Sequence, residues 1–284
     1  LGIYCNNGGF NTDNYKVITR TGMVNNHYLA FSGGTPQSNY RASFGVMDHN
    51  TIIKKMDYNV FVAKVDVTQK AFNDRLTGEF GVFGSSFKNH DIFDTQMLFY
   101  SAACQNPTFP AGTDEHGNWL KNESATHVNP PGILLEEKND SKDLNFDAHI
   151  KLSYDFNKNW RVSTFGSYLY GSTENGQFCP TWVWAQGNVY RGEFKKEEWL
   201  GNVSLDFNKE FGIHKVSAGV SSEYRKLRKT AFWVYAKGIP TNDFHYDNLG
   251  ATAARPYGGT ESTYEDQSLA SVMGSITYNL LDRY

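Results

Sequence analysis

The chain has 284 residues, of which 20 Phe, 17 Tyr and 6 Trp give an aromatic content of 15%, with 26 Gly and 39% hydrophobic residues. Its longest unbroken apolar run is Ala231 to Ala236, far short of the roughly 20 residues a transmembrane helix needs, while the aromatic content supplies enough material for burial to exclude a disordered chain. Twenty-seven Lys and Arg against 30 Asp and Glu give a net charge of −3 spread along the sequence, so no basic stripe points to nucleic acid.

Taken in chain order, short segments alternate apolar and polar residues with period two, the pattern of strands with two chemically different faces. Tyr40, Ala42, Phe44 and Val46 alternate with Asn39, Arg41, Ser43 and Gly45, and Phe61, Ala63, Val65 and Val67 alternate with Val62, Lys64, Asp66 and Thr68. The clearest case sets Ala148, Ile150, Leu152, Tyr154 and Phe156 against His149, Lys151, Ser153 and Asp155. Ala270, Val272, Gly274, Ile276 and Tyr278 repeat the pattern near the end. The spacing predicts nine strands, near 26–34, 38–48, 57–68, 74–88, 143–156, 159–172, 192–207, 212–227 and 264–280.

The connections alternate in length. Thr35 to Gln37, Gln69 to Asn73, Asn157-Lys158 and Lys209 to Phe211 are short, whereas 49–56, 89–142, 173–191 and 228–263 are long. In an up-and-down sheet alternate connections share an end, so tight turns gather at one end and large loops at the other, as in outer-membrane barrels. Aromatics gather beside the tight turns: Tyr154, Phe156 and Trp160, then Phe207 and Phe211, then Tyr278 and Tyr284. That placement fits an interfacial girdle. The competing reading is a secreted carbohydrate-binding β-sandwich with the same aromatics in its core. Nine is an odd count where single-chain bacterial barrels are even, and bare sheet edges are costly in lipid; with Leu1 at one end and Tyr284 at the other, the chain is read as a piece of a larger barrel.

Specific strings sharpen this. Asn11-Thr12-Asp13-Asn14-Tyr15, Thr19-Arg20-Thr21-Gly22, Asn26-His27-Tyr28-Leu29 and Ser32-Gly33-Gly34 resemble the plug-to-barrel junction of SusC/RagA-like TonB-dependent transporters. Ser38 to Gly45 is similar to that family's first barrel hairpin, Asn50-Thr51-Ile52-Ile53-Lys54 and Val67 to Leu76 to the next loop and turn, and Ser275 to Tyr284 to a turn leading to a further strand. Asn14 stands where the family usually has Trp. The resemblance implies an all-β, antiparallel transmembrane barrel segment, about nine strands of roughly 22 around a plugged lumen, with residues 1–22 as the end of the plug and 23–284 as the N-terminal part of the barrel. It further implies a Gram-negative outer-membrane importer of oligosaccharides or peptides, working with a SusD-like surface lipoprotein and driven by TonB, whose box and most of whose plug are not in this sequence.

No HExxH, GxSxG, Walker loop or GxGxxG stands in the sequence, so no enzyme chemistry is expected. His149 lies on a polar strand face and reads as a lumen or plug contact. Cys5, Cys104 and Cys179 are isolated, and neither a disulfide nor a metal cluster follows from them. Acidic pairs Asp114-Glu115 and Glu136-Glu137, with Asp140 and Asp143, fall in the longest loop; calcium binding is conceivable there but lacks an EF-hand spacing, and no cofactor is expected. The candidate ligand-binding residues are loop aromatics: Trp119, Trp182 and Trp184, with Trp233 and Tyr235 near the base of 228–263. Flat rings with polar neighbours stack on sugars or grip peptides, and equally pack loops together. Pro107, Pro110, Pro130 and Pro131 stiffen the longest loop.

Overall fold

The computed structural model describes residues 8–121 and 128–280. Nine strands form one sheet in sequence order, every neighbour antiparallel. They are β1 (Met23–Gly34), β2 (Ser38–Asn50), β3 (Asp57–Ala71), β4 (Leu76–Asp91), β5 (Lys138–Asp155), β6 (Trp160–Cys179), β7 (Asn188–Phe211), β8 (His214–Lys237) and β9 (Thr260–Leu280). All nine expected strands exist. Most are longer than expected, chiefly at the long-loop end, so the loops shrink and Asp140 and Asp143 belong to β5, not to a loop. The tight turn after β7 falls at 212–213, where Gly212 takes a positive φ of 64°, just beyond the expected Lys209 to Phe211. The turn before β4 threads Phe72, Asn73 and Asp74 successively through left-handed φ values of 55°, 57° and 63°, a conformation Asn and Asp tolerate better than most side chains.

Register carries the two-faced pattern from strand to strand. On the outward face, Phe80, Ile150 and Gly166 stand opposite one another, as do Leu205, Val220 and Gly274. Two aromatic rows border this apolar field. Tyr154, Trp160, Phe207 and Tyr278 lie near the tight turns, with Trp160 and Phe207 rings 4.7 Å apart. Phe146, Tyr168, Trp199 and Tyr224 lie toward the loops, with Tyr168 and Trp199 rings 4.2 Å apart. From Phe146 to Tyr154 is about 26 Å along the strand at roughly 3.3 Å per residue, near 20 Å in height after the usual barrel tilt. Between the rows, Ala148, Ile150 and Leu152, Val162, Thr164 and Gly166, Gly201, Val203 and Leu205, and Ala218, Val220 and Ser222 carry no charge.

Among the described residues no second sheet covers this field. Ile276 is 82% and Val272 78% exposed, which a β-sandwich would bury; the sandwich reading therefore fails, and lipid is the environment that matches. The inward face holds ion pairs such as Lys151–Glu79 at 3.2 Å, Arg225–Glu198 at 2.6 Å and Lys229–Glu265 at 3.2 Å. His149 belongs to it, 3.4 Å from Asp147 and stacked on Phe165, with its ring close over Gly81 where a Cβ would not fit.

The main buried core lies at the loop end. Three helices, α1 (Asn14–Ile18), α2 (Thr95–Cys104) and α3 (Pro130–Glu136), pack there around Ile18, Ile53, Ile92, Leu98, Ile133 and Leu134. Each begins at a side-chain cap: Asp13 accepts from the Lys16 N–H, Asp94 from Met97 and Asn129 from Gly132, satisfying amides that lack a partner in the first turn. Pro130 and Pro131 occupy the first turn of α3, where a missing N–H costs nothing. Since β1 enters from the long-loop end and leaves through the tight turn at 35–37, the described residues 8–22 join this cap. The Arg20 guanidinium donates to the Thr51 and Met56 carbonyls at 3.0 and 2.9 Å, and Lys54 N–H donates to Ile18 O at 2.9 Å. Cys5 and Tyr284 lie outside the described residues.

Candidate functional site at the loop end

The five candidate aromatics separate into three places. Trp119 and Trp182 come together from different loops, ring centroids 6.3 Å apart, and both indole N–H groups donate to the Glu136 carboxylate, Trp119 to Oε1 and Trp182 to Oε2, the latter at 2.6 Å. Gly132 lies beneath them: a Cβ there would come within 2.5 Å of the Trp182 ring and 2.8 Å of Trp119. Lys121 Nζ sits 5.8 Å from the Trp182 ring centroid and donates to its carbonyl at 2.9 Å. With both donors paired and both rings half-buried, this unit fastens the loop 92–137 to the loop 180–187. Trp184 stands apart and is 49% exposed.

Trp233 and Tyr235 are not in a loop. They lie in β8, which runs on to Lys237, and register turns both inward. Tyr235 faces Tyr190 and Trp233 faces Gly192, while Phe194 stands two residues further along β7 on the same face. The Tyr190 ring lies across Gly192, where a Cβ would meet its hydroxyl at 2.6 Å. Tyr235 donates to Asn188 Oδ1 at 2.9 Å, and Lys237 Nζ lies 5.6 Å from its ring centroid. The result is an inward-facing aromatic rim, Tyr190, Phe194, Trp233 and Tyr235, with an amide and an ammonium at its upper edge. The sequence places Tyr190 in the connection 173–191, and Phe194, inside the expected strand 192–207, is not among the loop aromatics taken as candidates; the inward period continuing from Glu198 through Lys196 to Phe194 is the signal that points to it.

The acidic groups of the cap are occupied by donors. Asp114 accepts from the His116 and Asn118 backbone N–H groups and from Asn118 Nδ2, which holds its carboxyl below the usual range. Glu137, 3% exposed, accepts from Asp94 N–H at 3.1 Å and from the Cys179 thiol at 3.5 Å; burial pushes its pKa up to about 7. Among the described residues no three His, Cys, Asp or Glu side chains converge to hold a metal ion.

The last long loop folds back over the outside of the wall. Ile239, Tyr246 and Leu249 pack on Phe178, Val189 and Ala236, which register places outward at the tips of β6, β7 and β8. Tyr246 lies on Gly176, where a Cβ would meet its ring at 2.6 Å, and donates to Asp140 Oδ2 at 2.6 Å.

No protein-family model matches the chain. Over 98% of its length it is 26% identical to TonB-dependent receptor P3 of Formosa agariphila and 25% identical to TonB-dependent receptor SusC of Bacteroides thetaiotaomicron, covering 29% of each. The fold matches the RagAB peptide importer in its open-open state with a TM-score of 0.75 over 96% of this chain and 31% of that one, at 14% identity. The ferric citrate transporter FecA matches with a TM-score of 0.55 over 91% of this chain and 33% of that one, at 8% identity. The chain thus spans about three-tenths of these relatives. Its two-faced meander, its paired aromatic girdles and its near-complete alignment make the chain similar, over about three-tenths of their length, to the TonB-dependent receptors P3 and SusC, with a fold that matches part of the RagAB peptide importer.

Proposed function

We propose that the chain forms one wall of an importer that takes up oligosaccharides together with a SusD-like surface lipoprotein, with TonB supplying the energy. The observation that carries the cargo class is the inward rim of Tyr190, Phe194, Trp233 and Tyr235 on β7 and β8. Flat rings on the lumen side of the loop end offer stacking faces to sugar rings, and Asn188 and Lys237 beside them offer hydrogen bonds. Peptide is the second reading, favoured by the fold match to a peptide importer. In both, transport depends on different affinities in open and closed states.

Within this reading Trp119 and Trp182 hold the cap together, Trp184 is free to touch cargo or lid, and the nine strands between 23 and 280 build the wall. Residues 8–22, with the long loops, are read as part of the surface cap in preference to the end of the plug, because among the described residues their contacts lie at that end. The capped carboxylates are read as loop fasteners, not calcium ligands. The test is calorimetry on the purified full-length receptor with a panel of oligosaccharides and a tryptic peptide mixture. Trp233→Ala with Tyr235→Ala is expected to weaken oligosaccharide binding at least tenfold; unchanged affinity in a folded double variant overturns the cargo site, and binding of peptides alone selects the second reading.

A further inference from the structure

Above the upper aromatic row the outward wall turns from apolar to charged. On β4 and β5, Lys88 and Lys142 stand directly opposite each other on this face. Like charges opposed across strands destabilise a sheet unless something compensates them, and neither ammonium forms an ion pair among the described residues, although their neighbours do: His90 pairs with Asp57 at 2.8 Å and Arg191 with Asp247 at 3.4 Å. The two lysines open into a cavity of about 310 Å³ that Arg191 also lines and that Tyr246 and Asp247 of the last loop roof over. The acidic groups there are Asp247, paired with Arg191, Asp140, held by the Tyr246 hydroxyl, and Glu174, which register sets opposite Lys142 on the side away from Lys88.

Height selects the ligand. Lys142 lies four residues from Phe146 of the upper girdle, about 13 Å along the strand and near 10 Å above the lipid boundary after tilt. That is the level of phosphorylated headgroups in the outer leaflet, and the site faces lipid, not lumen. A phosphate between two opposed ammonium groups removes their repulsion and gains charge-assisted hydrogen bonds. We propose that Lys88 and Lys142, with Arg191 beside them, form a site on the outer wall for the phosphate of an anionic outer-leaflet lipid headgroup. Glu174 repels that phosphate and sets the upper limit on affinity.

The experiment is native mass spectrometry of the full-length receptor extracted in neutral detergent, with bis-phosphorylated lipid A, phosphatidylcholine or inorganic phosphate added. Lipid A is expected to be retained, phosphatidylcholine not, and inorganic phosphate in millimolar excess to displace only part of it. Lys88→Gln with Lys142→Gln is expected to lower lipid A occupancy about tenfold and Glu174→Gln to raise it, whereas Lys142→Arg preserves it; heat-modifiable gel migration checks that each variant is folded. Equal retention of phosphatidylcholine, unchanged occupancy in the folded double-lysine variant, or lysine-dependent binding of inorganic phosphate with no retention of lipid A each overturns the assignment.

Discussion

Val220 and Ser221 are neighbours in β8, and the barrel geometry assigns them opposite solvents. Val220 points outward at the middle of the apolar band, opposite Leu205 and Gly274 and 49% exposed when only this wall is present, whereas Ser221 points inward opposite Ser204 and Met273. Placing Arg at a lipid-facing position near the bilayer midplane costs about 2–4 kcal/mol, against about 0–1 kcal/mol near an interface. Val220 lies four residues from Tyr224 and four from Val216, which stands opposite girdle Tyr278, so Val220→Arg is expected to cost the full amount, roughly 30- to 1000-fold in the folding constant. Ser221→Arg enters a polar surface already rich in Arg, Lys and Glu and is expected to cost less than about 1 kcal/mol, since surface substitutions rarely exceed a few tenths. Urea unfolding and refolding of the full-length barrel in phospholipid vesicles, followed by tryptophan fluorescence, reads both. Equal costs at the two positions, or a larger one at Ser221, would show that the face assigned to lipid is not in lipid.

Three further outcomes follow from the cap. Glu136→Ala leaves the Trp119 and Trp182 indole N–H groups without their shared acceptor and is expected to destabilise the cap by about 2–3 kcal/mol, the scale of hydrogen bonds to a charged group; limited proteolysis within the loop 92–137 should accelerate, and unchanged cleavage would discount the fastening role. Glu137 has its pKa raised from 4.5 to about 7 by burial, so its contribution to cap stability is expected to be fully present below about pH 4.5 and to be lost as the pH rises to about 7, by at most roughly 3.4 kcal/mol at 1.36 kcal/mol per unit. Hydrogen exchange of α3, corrected for the intrinsic pH effect, should show this loss in the wild type and none in Glu137→Gln. Gly176→Val drives a side chain into the Tyr246 ring and should detach the last loop from the outer wall, seen as faster exchange at 238–259 with no change at 143–156.

The alternation that marks the strands was readable because lipid and a polar lumen demand opposite residues at successive positions, and Ile150 beside Lys151 satisfies both at once. The same rule explains where the reading stopped. Above Trp199, β7 continues as Glu198, Glu197, Lys196 and Lys195, polar on both faces because both now meet water, so period two disappears while the backbone ladder to β6 and β8 runs on. Trp233 and Tyr235 therefore looked like loop residues when they are strand residues turned inward. The strings Thr19-Arg20-Thr21-Gly22 and Asn50 to Lys54 carried the family resemblance, but only the tertiary structure shows why they occur together: Arg20 closes the carbonyls of Thr51 and Met56. The convergence of Trp119, Trp182 and Glu136, the roof that Tyr246 makes over Gly176, and the opposed Lys88 and Lys142 each join residues from different loops or strands. Local sequence records which face a residue prefers; which residues share that face at one height depends on strand register and loop path, and these are set by packing across the whole sheet.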